Sequence, residues 1–324
     1  MKRVVSFILT LVILMLSLTA CGQKTAAGGT GGKVKLYISY TTDDFRQAFA
    51  DAAVEEGSAR GVEVITGPED DTVEKQVAAV KQAVADGCTA ILCVPVNAAT
   101  AQELEVAAGD VPIIFCNNAP EADVLVPDKY VYVGSSEEQA GQFQAERLME
   151  LYPDKTEFNI VMMKGEKGHS GAVGRQNGFK HTMQDNGITV NYVFEDYADW
   201  SGDIAYSKFI QFLRTEQPYD AVVCHNDTMA VAIAKCMKSH HISTTEIPVL
   251  GVDATADGVA ALESGDLNFT VYQSAVGQGK AAVLAGIELS KGHSISRIDG
   301  ADKTNTYIYV PFEPVEQSNV KDYK

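Results

Sequence analysis

Short apolar runs alternate with helix patterns along almost the whole chain, and that alternation leaves few folds open. Strand-type runs occupy 34–39, 62–66, 90–96, 112–117, 130–134, 159–165, 189–194, 219–226, 248–253, 269–274 and 306–312. Between them lie amphipathic stretches such as 72–87, which stops at a glycine, and 136–152, where Gln139, Phe143, Leu148 and Leu151 lie near one face. Strands that are apolar along their whole length are buried on both faces. With helical crossovers between them they form parallel sheets. Eleven such strands are too many for one doubly wound sheet. The series restarts after Gly134, at Ser135-Ser136-Glu137, with no Gly/Pro-rich linker. The expected class is α/β, with two Rossmann-like lobes joined by short connections.

The first residues do not fit that pattern. Lys2 and Arg3 precede an apolar run from Val4 to Leu16, then small residues up to Cys21. That run is short for a bilayer span and reads as a signal peptide over 1–20. Leu18-Thr19-Ala20-Cys21 resembles a lipobox, which implies cleavage before Cys21 and lipidation of its thiol. Residues 21–33, rich in glycine, read as a flexible tether. Removing the leader takes two cations and no acids, moving the formal charge from −17 to −19. Such a surface argues against nucleic acid or an anionic membrane as a partner. Cys88, Cys93, Cys116, Cys224 and Cys236 show no zinc spacing, and several sit in apolar runs as small hydrophobes.

In open α/β sheets, ligands bind beyond the carboxyl ends of the strands. The residues there include Asp43, Phe45 and Arg46, then Asn117 and Asn118, then the loop with His169 and Arg175. Trp200, Asn226, Asp253 and Gln273 follow later strands. Carboxylates, planar amides and guanidinium groups hydrogen-bond vicinal hydroxyls in pairs. Aromatic rings cover the C–H face of a pyranose. Singly, each has a blander reading: Asp43, Asn226 and Asp253 as caps or turn residues, Phe45 and Trp200 as core. Their placement at successive strand ends favours a sugar site.

The motifs SYTTDDF, PIIFCNN, KGEKGH with Arg175, ADW, HNDTMA, GVDAT and TVYQS occur in that order. Together they resemble the periplasmic sugar-binding proteins of the ribose and galactose type, over about residues 34–315. The resemblance implies a ligand cleft between lobes joined by three hinge strands. The expected lobes are 34–134 plus 274–302, and 135–273 plus 303–324. It implies ligand contacts from Asp43, Phe45, Asn117, Asn118, His169, Arg175, Trp200, Asn226, Asp253 and Gln273. It further implies a monomeric, extracytoplasmic, lipid-anchored protein that captures a monosaccharide for the permease of an ABC importer. A glucose- or galactose-like hexose is favoured. The alternative is another polyol or an acidic sugar, sensed for a signalling receptor. No cofactor and no metal are expected. Gly171, Asn118 and Arg46 depart from the family pattern and bear on which sugar is bound.

The stretch MKGEKGHSGAVGR, 163–175, has glycines at 165, 168, 171 and 174. It matches neither a dinucleotide fingerprint nor a Walker loop. It reads as backbone brought close to a neutral ligand. The chain holds no G-x-S-x-G and no H-E-x-x-H, so no enzyme is expected.

Overall fold

The computed structural model describes residues 35–40, 44–67 and 71–323. All eleven expected strand regions contain strand. The first lobe is built on six parallel strands. They are β1 (Lys35–Ser39), β2 (Glu63–Thr66), β3 (Ala90–Cys93), β4 (Ile113–Cys116), β5 (Tyr130–Gly134) and β11 (Tyr307–Tyr309), in the order β11-β5-β4-β3-β1-β2. Helices α1 (Asp44–Ala59), α2 (Val73–Ala85), α3 (Ala101–Ala108) and α9 (Ala275–Ser290) cover it. The second lobe has β6 (Glu157–Lys164), β7 (Thr189–Tyr197), β8 (Ala221–Cys224) and β9 (Val249–Leu250), in the order β7-β6-β8-β9. Parallel bridges join its β9 edge to β10 (Thr270–Gln273), which pairs antiparallel with β12 (Phe312–Val315). Its helices are α4 (Glu137–Leu151), α5 (Ser170–Asp185), α6 (Gly202–Leu213), α7 (Asp227–Ser239) and α8 (Ala256–Ser264).

Each sheet carries a separate core on each face, as fully apolar parallel strands require. Val131 and Val133 enter one core of the first lobe, Tyr130 and Tyr132 the other. The five cysteines at 88, 93, 116, 224 and 236 are free and buried. Burial pushes the Cys116 and Cys224 thiols well up, so they act as small hydrophobes.

The run 306–312 corrects the sequence reading. It is two strands, broken at Pro311. Tyr307–Tyr309 pairs with β5 in the first sheet, and Phe312–Val315 pairs with β10 in the second. Proline has no N–H to continue a ladder. The last donor to the first sheet is the Val310 N–H, to the Gly134 carbonyl at 2.8 Å. The third crossing therefore lies at Val310–Pro311 rather than near Asp302, and 303–309 belong to the first lobe.

Both sheets reverse their order at the first strand of their lobe, β1 against β3 and β6 against β8. The segments after β1, β6 and β8 lead into Phe45, His169 and Asn226, so the strand order itself gathers them.

Candidate functional site

The carboxyl ends of both sheets open on one cavity of ≈ 260 Å³. Phe45, Arg46 and Asn117 line it from the first lobe. Asn117 holds φ 60°, in the left-handed region that asparagine tolerates. The second lobe supplies His169, Arg175, Trp200 and Asn226, and also Thr228, Asp253 and Thr255, with Gln273 at the hinge. A wider recess of ≈ 770 Å³ shares Phe45, Asp253 and Gln273 and runs out past Tyr206 to the exposed Val276.

Arg175 is the electrostatic centre. It is 4% exposed, and its Nε donates to Glu137 Oε2 at 2.8 Å. Its Nη1 donates to the His225 carbonyl and lies 3.8 Å from Asp253 Oδ1, while Nη2 donates to Gln273 Oε1 at 3.2 Å. Gln273 Nε2 in turn donates to Glu137 Oε1 at 3.3 Å. Burial raises the Glu137 pKa, and the Arg175 charge works against that rise. Helices α4 and α5 must touch backbone to backbone for this pair to form. A Cβ on Gly141 would lie 2.0 Å from the Arg175 carbonyl, and one on Gly178 1.9 Å from the Glu138 carbonyl. Glycines make the seam, and the seam sets Glu137 against Arg175.

Trp200 forms the second feature. Asp199 and Trp200 hold φ 49° and 62°, a tight reversal after β7. The ring lies on Gly165, whose added Cβ would fall 2.1 Å from Trp200 Cη2. His169 meets the indole edge-on, with centroids 5.1 Å apart, and the Arg175 guanidinium carbon is 5.5 Å from the ring. The glycine-rich loop thus provides floor space for an indole. His169 caps α5, its Nδ1 accepting the Gly171 N–H at 3.0 Å. Burial, then the charges of Arg46 and Arg175, lower its pKa to about 3, so the ring is neutral.

A cleft between two α/β lobes, with an aromatic floor and paired planar polar groups, is a trap for a small polar solute. A family model described as "Periplasmic binding protein domain" matches residues 34–294. The chain belongs to the periplasmic binding protein family. A Rhizobium meliloti protein named for rhizopine binding is 30% identical over 257 residues, 78% of this chain and 79% of that one. The ribose import binding protein of Bacillus subtilis is 27% identical over 311 residues, 92% of this chain and 96% of that one. A solved ABC transporter solute binding protein from Bacillus halodurans, with bound myo-inositol, superposes with a TM-score of 0.79. It is 26% identical, and the match covers 91% of this chain and 98% of that one. The protein is an extracytoplasmic solute-binding protein of the ABC sugar-importer type, not an enzyme.

Within this binding protein the expected site residues divide. Phe45, Asn117, His169, Arg175, Trp200, Asn226, Asp253 and Gln273 all line the cavity. Asp43, like Cys21, lies outside the described residues. Asn118 does not line the cavity. Its amide is spent on the Pro95 carbonyl at 3.0 Å and on the Ser170 N–H at 3.2 Å, so it ties the first lobe to the start of α5. Asn226 lines the cavity and is also the N-cap of α7. It accepts the Met229 N–H at 3.0 Å and donates to the Trp200 carbonyl at 3.2 Å. Asn226 therefore both caps α7 and lines the cavity.

Thr228 and Thr255 line the cavity, and Glu137 and Asp227 brace residues that line it, though none of the four was among the expected site residues. Asp227 is fully buried. It accepts the Thr255 N–H at 2.9 Å and the Thr270 hydroxyl at 2.6 Å, and burial pushes its pKa up to about 7. It anchors the loop on which Asp253, at φ 111°, turns towards Arg175. The available signal was the adjacency of Asp227 to Asn226, and of Glu137 to the serines that open α4.

Proposed function

We propose that this protein captures a neutral six-membered ring rich in hydroxyls, a hexopyranose or an inositol-type cyclitol. It delivers that ring to the permease of an ABC importer. The observation that carries this reading is the charge balance around Arg175. Its guanidinium already faces Glu137 and Asp253, so a ligand carboxylate would add a third acid to a buried site. A hydroxyl instead can accept from the guanidinium and donate to Asp253, which uses both halves of the pair. Trp200 and Phe45, from opposite lobes, offer apolar surface to the ring's C–H faces. The cavity, ≈ 260 Å³, is small beside the roughly 300–1,000 Å³ of drug-sized pockets and suits a single ring. The relatives named for ribose and rhizopine, and the solved neighbour with myo-inositol, support this class.

A thermal-shift panel of hexoses, pentoses, cyclitols, uronic acids and amino acids tests the class. A ligand at about 100 times its dissociation constant stabilises the fold by roughly 2.7 kcal/mol, and the expected winner is a neutral hexose or cyclitol. The largest shift from a uronic acid, or shifts from amino acids alone, contradict the reading.

We also propose that Cys21 carries the lipid anchor. The lipobox in the sequence motivates this. Replacing Cys21 with Ala moves the protein from the membrane fraction to the soluble one. Continued membrane retention of that variant would refute the anchor.

A further inference from the structure

One corner of the cavity brings two side-chain nitrogens from opposite lobes face to face. Arg46 Nη2, on α1 of the first lobe, lies 3.5 Å from His169 Nε2 of the second lobe. The His169 tautomer follows from its other nitrogen. Nδ1 accepts the Gly171 N–H at 3.0 Å, so it carries no hydrogen, and a neutral imidazole then bears its hydrogen on Nε2. A guanidinium only donates. The alternative tautomer, with hydrogen on Nδ1, moves the conflict to the Gly171 N–H and does not remove it. Both residues line the cavity. Glu166, whose carboxyl feels the Arg46 charge, stands on the loop after β6 and does not line that cavity.

We infer that Arg46 and His169 converge on a single oxygen of the bound ring, which accepts from both and so links the two lobes. This rests on the sugar or cyclitol reading above and goes beyond it by naming what that ring position must carry. A hydroxyl fits, because it accepts twice and still donates its own hydrogen. An ammonium does not fit, because it brings three more donors and a charge of the same sign as Arg46. The corner therefore selects hydroxy sugars and cyclitols over their amino derivatives at one ring position. Arg46 is a specificity-determining residue.

The test is titration calorimetry with D-glucose and myo-inositol and their monodeoxy and monoamino derivatives, at a pH where the amines are protonated. The proteins are the wild type, Arg46→Met and His169→Asn. The asparagine keeps an acceptor for the Gly171 N–H, and so the α5 cap, but places no donor at the Nε2 position. One deoxy position in the wild type is expected to lose roughly tenfold or more in affinity, and the amine at that position more than the deoxy compound. In each variant, removing that same hydroxyl costs little further, and the Arg46→Met protein regains affinity for the amine. The inference is overturned if the two variants couple to different ring positions, or if the wild type binds the amine as well as the alcohol. Parent compounds that bind with no such coupling overturn this inference alone. Failure of every sugar and cyclitol to bind overturns the ligand reading with it.

Discussion

Replacing Trp200 with Ala is expected to lower affinity for the proposed ring ligand by roughly thirtyfold, about 2 kcal/mol or more. The indole lies on the bare backbone of Gly165 and is braced edge-on by His169, so its position is set before ligand arrives. Rigid aromatic surface that need not be ordered on binding contributes most of its contact energy. Trp200 is the only tryptophan, so intrinsic fluorescence reports this site alone. Titrating the wild type shifts or quenches the emission saturably. A flat emission trace, with a ligand that calorimetry shows to bind, would place Trp200 outside the contact and remove the aromatic basis for preferring a ring.

Arg175 carries the largest expected loss of stability. Truncation to Ala leaves Glu137 buried beside Gln273 with no cation, and breaking one partner of a buried pair costs about 3–5 kcal/mol. Binding is lost as well, because Asp253 and Gln273 lose the group that orients them. The double variant Arg175→Met with Glu137→Leu separates the two effects. Removing both charges restores much of the stability, since a well-packed apolar pair replaces a desolvated ionic one, but it does not restore binding. Urea denaturation with unchanged slope checks the first part and calorimetry the second. Equal stability of wild type and Arg175→Ala would show that the pair is solvated and does not organise the cleft.

The fold was legible because its signals are local. Apolar runs such as AILC and IIFC are complete in themselves, and the alternation with helices implies parallel sheets whatever the loops do. Pro311 was equally visible, yet its consequence was not. The proline forbids one ladder bond, but only the partner strands show that the two halves of TYIYVPF join different sheets. The cavity lining was legible where it comes from strand ends, as at His169, Trp200 and Asp253. It was not legible where a residue acts through a helix seam. Glu137 reads as a first-turn acid until Gly141 and Gly178 bring its helix against Arg175. Asn118 stays out of the cavity lining for the opposite reason. It follows a strand end beside Asn117, but its side chain turns back to the Pro95 carbonyl and across to Ser170. Which way a side chain turns at a strand end depends on contacts from elements far away in the chain.

In the proposed complex one hydroxylated ring sits between the lobes, with Trp200 beneath it and the Arg175–Asp253 pair at its edge. A crystal structure of the protein with the hexose or cyclitol giving the largest thermal shift tests this most directly. The expected density is a ring in the ≈ 260 Å³ cavity, with a C–H face on the Trp200 indole and a hydroxyl within hydrogen-bond reach of both Asp253 and Arg175. A ligand seated in the outer recess by Tyr206 and Val276, with Trp200 and Arg175 untouched, would contradict it.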